Sequence, residues 1–227
     1  MVFKSSIKIV LLHHLSILSS LTVTRFNIRM SDTYKTITTP AEGIYKEKGS
    51  KFLAFAIPVN TVDEVKEVVK NYRKEYYDAR HVCYAYMLGA ERKDFRANDD
   101  GEPSGTAGRP ILGQINSREL TNVLVIVVRY FGGILLGTGG LVVAYKEATA
   151  DALDHAKVIE KTVDETISIN FDYILMNDVM RVIKDTNAQI LHQIFDNNCS
   201  MLLNIRKQDS ELVMSKLKKI IGVSFTD

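Results

Sequence analysis

The chain has 227 residues, 46% hydrophobic and 25% charged, and 29 Lys plus Arg against 27 Asp plus Glu give a formal charge of +2. That length suits one large domain or two small ones, and the composition is that of a globular protein rather than a disordered or fibrous one. The balanced charge names no partner; two distant cysteines, Cys83 and Cys199, exclude a disulfide framework, offer no metal cluster and point to a reducing cytoplasm.

Residues 1–29 place Lys4 and Lys8 ahead of a short apolar run, an arrangement similar to a secretory leader. His13 and His14 break that run, no small-x-small cleavage site follows, and the stretch is too short and polar to span a bilayer. The expectation is a start codon placed too early, with Met30 opening the soluble protein. No membrane segment is expected.

From Gly43, residues 44–58 read as two strands around Lys48, Gly49 and Ser50. Thr61 then caps a helix in which Val62, Val65, Val68, Val69 and Tyr72 recur at helical spacing, ending near Tyr77. Residues 81–88, rich in β-branched and aromatic side chains, predict a strand. A first glycine-studded stretch follows at 98–110, NDDGEPSGTAGRP. The near-continuous apolar run 122–129 predicts a strand covered on both faces. A second stretch, RYFGGILLGTGG at 129–140, leads into a helix expected near Gly140, with Leu141, Tyr145, Ala148, Ala152 and Leu153 as its apolar stripe.

Around residues 155–161 the chain turns polar and a second unit is expected. Residues 162–171 alternate as a strand, 174–185 carry a helical pattern, and 189–195 read as extended. A turn at 196–198, a strand at 200–205, an amphipathic helix at 210–221 and a strand at 223–225 complete the series. That β-α-β-β-α-β order predicts a ferredoxin-like domain. The expected class is α+β, with domains at 30–158 and 159–227.

The two glycine stretches hold more than half of the 13 glycines and are the candidate site. Glycine admits close approaches and left-handed backbone that a Cβ forbids. The second stretch ends in neither the Walker Gly-Lys-Ser/Thr nor the Gly-x-Gly-x-x-Gly spacing. What it offers is a looser phosphate cradle: Gly132, Gly133, Gly137, Thr138, Gly139 and Gly140 at a helix start, beside Arg129 and Tyr130. Packing of the helix on the sheet is the alternative role for the same glycines.

In the first stretch Asp99, Asp100 and Glu102, with Thr106 nearby, admit three readings: a magnesium site, a solvated acidic turn, or a loop fixed by Asp100 or Glu102 pairing with Arg80, Arg109 or Arg129. No other cofactor is indicated. Arg80 and His81, at a strand start, join the candidate ligand residues. Cys83 reads as core, Ser104 lacks a nucleophile's context, and Tyr84, Tyr86, Tyr130 and Phe131 suit either base stacking or core.

Four blocks, KGSKF at 48–52, ARHVCYAY at 79–86, DDGEPSGTAG at 99–108 and VVRYFGGILLGTGGL at 127–141, resemble the YigZ/IMPACT family, with the likeness running from about Thr33 onward. The resemblance implies a ribosomal protein S5 domain 2-like N-terminal domain and a ferredoxin-like C-terminal domain similar to those of translational elongation factors. Eukaryotic relatives regulate translation initiation through protein partners, using an additional N-terminal RWD domain. The expected partner is therefore RNA, the ribosome or a translation factor. Two alternatives stand beside it: a phosphate- or nucleotide-binding enzyme using the same loops, for which no general base is visible, and a protein-interaction module only, in which the glycines serve the fold.

Overall fold

The structure is a computed structural model that describes residues 32–196 and 198–226. The leader expectation for residues 1–29 and Asn197 of the expected turn lie outside them. The N-terminal part runs β1 (Thr33–Ile37), β2 (Ala41–Glu47), β3 (Ser50–Pro58), α1 (Val62–Glu75), β4 (His81–Leu88), β5 (Asp94–Asn98), α2 (Gly108–Ser117), β6 (Val123–Tyr130) and α3 (Gly137–Asp154). Five strands form an antiparallel sheet in the order β2-β3-β6-β4-β5.

Period-two alternation along the central strand decides what faces what. Val123, Val125 and Val127 of β6 pack with Ile111 and Ile115 of α2 and with Leu141, Tyr145 and Ala148 of α3. Leu124, Ile126 and Val128 point the other way, onto Val65 and Val69 of α1. The strand is buried on both faces from Val123 through Arg129, as its apolar run predicts. Each such side chain contributes about 1.5–3 kcal/mol of burial. The alternation carries Arg129 to the α3 side and Tyr130 to the α1 side.

Helix α1 begins where expected: the Thr61 side chain accepts from the Glu64 amide at 3.2 Å, and Glu64 in turn accepts from the Asn60 amide at 2.8 Å. Helix α3 begins at Gly137, three residues before the predicted start. Glycine's poor helix propensity conceals a first turn that the packing of Leu141 and Tyr145 on the sheet supports. Helix α2, not foreseen, starts inside the first glycine stretch, with Pro110 in its first turn, where the missing amide is harmless.

Strand β7 (Val158–Thr162) pairs antiparallel with β1, so the polar segment is a two-stranded ribbon where only a change of composition was read. Beyond it lie β8 (Asp164–Asp172), a 3-10 turn at Tyr173–Leu175, α4 (Met176–Asp185), β9 (Gln189–Ile194), β10 (Asn198–Arg206), α5 (Lys207–Leu217) and β11 (Ser224–Thr226). Their antiparallel sheet has the order β11-β8-β10-β9 around a core of its own that includes Phe171, Met201 and Val213. Arg206 forms a two-pronged ion pair with Asp32 next to the ribbon. The fold is mixed α/β with antiparallel sheets. No helix among the described residues is long and apolar enough to cross a membrane.

Candidate functional site

A cavity of about 560 Å³ opens between the start of β4, the end of β6 and the start of α3. Arg80, His81 and Arg129 form its basic wall, and Glu102 and Pro103 of the first glycine stretch close one side. Phe131, Leu135, Leu136 and Leu141 form an apolar lip, and Gly137 and Thr138 bring the first turn of α3 to it. Leu135 is 82% exposed, so the lip is open to a ligand.

Antiparallel pairing of β4 with β6 sets His81 opposite Arg129, and the Arg80 amide donates to the Arg129 carbonyl at 3.0 Å. Arg129 is buried and donates through Nη1 to Glu102 Oε1 at 2.6 Å. Tyr145 Oη donates to the same oxygen at 2.9 Å. Behind it, Cys83 Sγ lies 3.3 Å from Tyr145 Oη and 3.0 Å from the Asp99 carbonyl. Burial pushes the Cys83 thiol up. Burial also pushes the Tyr145 phenol up, reinforced by Cys83 and Glu102, so both stay protonated and serve as donors. Phe52 and Phe131 flank the Arg129 guanidinium at 5.4 and 5.7 Å. Arg129 Nε is buried and has no hydrogen-bond partner among the described residues.

His81 Nδ1 sits 2.8 Å from the Asp100 carbonyl. A carbonyl only accepts, so the network assigns the proton to Nδ1 and leaves the Nε2 lone pair free in the neutral ring. Nε2 is 3.9 Å from Glu102 Oε1.

The α3 terminus supplies the third component. No side chain caps it, and no acidic residue occupies its first turn. A Cβ built on Gly137 or Gly139 would meet nothing within 4 Å. Unsatisfied amides and a positive dipole end therefore stand open beside Arg80 and Arg129.

The acidic residues part company. Asp99 accepts from the amides of Gly105 at 2.9 Å, Ala107 at 3.0 Å and Gly108 at 2.8 Å, and so caps α2 from outside the helix. Burial raises its carboxyl, but those amides and Arg109 outweigh it and hold the group below the usual carboxylate range. Asp100, at φ +44°, accepts from Arg73 Nη2 at 2.5 Å and from the Val82 amide at 2.8 Å. Thr106 Oγ1 donates to the Pro103 carbonyl at 2.7 Å. Only Glu102 reaches the cavity. Among the described residues no three His, Cys, Asp or Glu gather as a metal site would require.

Of the candidate ligand residues, the structure brings together Arg80, His81, Arg129, Gly137 and Thr138, with Glu102. Gly139 and Gly140 belong to the first turn of α3, and Gly133, at φ +86°, shapes the turn before it. Gly132 serves packing: a Cβ there would stand 1.9 Å from the Gly49 carbonyl carbon, so the β2–β3 turn crosses backbone to backbone. Tyr130 is on the far face, where its hydroxyl donates to Asp78 at 3.0 Å. Tyr84 and Tyr86 share that face, which leaves Phe131 as the aromatic of that group at the cavity. Its helical spacing predicts core alone for Tyr145. The signal for more was a hydroxyl inside an apolar stripe, which demands a partner when buried.

Residues 48–153 match the family described as Impact N-terminal domain. The chain is 34% identical over 181 residues to the IMPACT family member YvyE of Bacillus subtilis, covering 80% of this chain and 83% of that one. The chain belongs to the IMPACT family. IMPACT family member YigZ of Escherichia coli is 33% identical over 168 residues, 73% of this chain and 81% of its own. A crystal structure described as a hypothetical protein superposes with TM-score 0.66 at 27% identity, covering 86% of this chain and 97% of that one. In this IMPACT-family chain every cavity residue named above falls inside the matched span.

Proposed function

We propose that this protein is a cytoplasmic, translation-associated binding protein and that the β6–α3 face takes a phosphate of RNA, free or within the ribosome. One observation carries the reading: the uncapped, acid-free first turn of α3 opens into the same cavity as Arg80 and Arg129. A phosphate there would accept from the amides of the first turn and from a guanidinium, an arrangement suited to backbone contact rather than base readout. The apolar lip of Phe131 and Leu135 suits an unstacked base beside that phosphate. We assign residues 30–158 to a ribosomal protein S5 domain 2-like domain and 159–227 to a ferredoxin-like one. The β11-β8-β10-β9 order, which is 4-1-3-2 within the second unit, supports the latter.

The test is co-sedimentation of the full chain with ribosomes and bulk RNA across a salt series, beside Arg80→Ala and Thr138→Pro. Proline is tolerated in a helix's first turn but removes an amide donor, so it probes the cradle without breaking α3. Both variants should weaken a salt-sensitive pelleting. Absence of pelleting at low salt sinks the reading and leaves a translation factor as the partner to seek.

The enzyme reading has one observation in its favour, the free Nε2 of His81 beside an anion cradle, which is the position of a general base. Nucleotide binding in a calorimeter that Arg80→Ala abolishes, without any RNA affinity, would place the protein there.

A further inference from the structure

On the opposite face of the five-stranded sheet, α1 and the β4–β5 hairpin enclose a groove of about 420 Å³. Its helix wall carries Lys66, Lys70 and Lys74, four residues apart and so on one stripe, rising about 6 Å from one to the next. Arg96 faces them from the edge strand β5, paired in register with Tyr86. Half-buried Tyr84 lies on the floor, beside Tyr86, which is packed into the core at 6% exposure.

Most of this charge is uncommitted. Lys66 holds Asp63 at 2.8 Å in an exposed pair, which contributes little and yields readily to a competing anion. Arg73, at the end of the stripe, holds Asp100 at 2.5 Å. Lys70, Lys74 and Arg96 have no carboxylate partner among the described residues. Cations in file along one wall, a facing arginine and the accessible Tyr84 ring beneath are the components of a single-strand platform: backbone phosphates against the cations, a base over the Tyr84 ring.

We infer that this groove is a binding site for single-stranded RNA. It stands on residues separate from the pocket, so either site can fail alone. Asp100 joins the two faces, since the side chain that holds Arg73 of the groove belongs to the residue whose carbonyl holds His81 of the pocket.

The test is fluorescence anisotropy of a labelled oligouridine of about 12 nucleotides, within the length one small domain covers, with the full chain across a salt series. Replacing Lys70, Lys74 and Arg96 together by glutamate should weaken binding more than tenfold. The same triple variant should lower the log–log salt slope by about 2, for three lost phosphate contacts. Should charge reversal impair folding, judged by circular dichroism, Lys70→Gln with Lys74→Gln should lower the slope by about 1.4. An unchanged affinity and slope in the folded variants overturns the inference. So does polyglutamate of the same length displacing the RNA at equal concentration, which would assign the groove to an acidic protein segment. Arg80→Ala separates the sites: lost affinity there, with the groove variants unchanged, leaves the pocket reading standing and removes this one.

Discussion

The two glycine-rich stretches look alike on paper and are opposites in the fold. The first, residues 98–110, is tied down by its own side chains: Asp99 holds three amides, Asp100 holds Arg73 and Val82, and Thr106 holds Pro103. The second, residues 129–140, ends in open backbone, with free space around Gly133, Gly137 and Gly139. Acidic residues turn a glycine loop into a frame, because each carboxylate collects the amides around it. A loop without acids leaves its amides for a ligand. Glu102 joins the two, reaching from the frame to Arg129 at the root of the open loop.

Breaking that junction should have the largest effect. Glu102→Ala leaves Arg129 charged and buried, at a cost of about 3–5 kcal/mol. For a chain of this size that is a fall in Tm of roughly 6–20 °C. Replacing the pair together, Glu102→Leu with Arg129→Met, should recover much of the loss, because an apolar pair of similar volume removes the stranded charge. Thermal melts of Glu102→Leu, Arg129→Met and the double variant, read as a cycle, check this. Additive losses would mean that the pair is not what joins the stretches.

The frame itself should be sensitive to acid. The carboxyl of Asp99 titrates lower folded than unfolded, so it contributes stability above its unfolded pKa of about 3.9 that is lost as pH falls through the folded value. Asp99→Asn keeps the shape but offers one acceptor oxygen where three amides converge, which should cost about 2 kcal/mol near neutrality. The variant should then show a flatter stability curve below about pH 4 than the parent. Urea titrations at stepped pH measure both, and parallel curves for parent and variant would remove Asp99 from the role of anchor.

How far the sequence reveals this contrast follows from the range of each interaction. Strand β6 and helix α1 were legible because an apolar run and a Thr61 cap are local signals. The β1–β7 ribbon was not, since Thr33 pairs with Thr162 across the whole N-terminal part and neither strand alternates clearly. Helix α2 hid for a related reason: its amides are satisfied by Asp99, nine residues upstream of Gly108, so no cap stands at its own start. At the site, pairing of Glu102 with Arg129 was one of several arrangements the acidic loop allowed. Tyr145 was read from its spacing as core, and its hydroxyl gained a role only when the fold set it between Cys83 and Glu102. The glycines were the least legible, because packing and ligand access both select a missing Cβ.

Substitution separates those two causes, and this is the smallest and most discriminating effect. Gly132→Ala drives a Cβ into the Gly49 backbone at 1.9 Å, which cannot give way cheaply, and should destabilise by about 1–3 kcal/mol as an overpacked site does. Gly139→Ala meets nothing within 4 Å and sits in the first turn of α3 at an ordinary helical φ. It should therefore stabilise, by up to about 1 kcal/mol, through alanine's better helix propensity. If the open amides of α3 receive a phosphate, the same methyl group stands where the ligand must approach, and Gly139→Ala should melt higher than the parent while binding RNA more weakly. A variant that gains stability and keeps full affinity would mean that the glycine is there for the chain alone, and that the ligand, if it uses this cavity, rests on Arg80 and Arg129 without touching the helix.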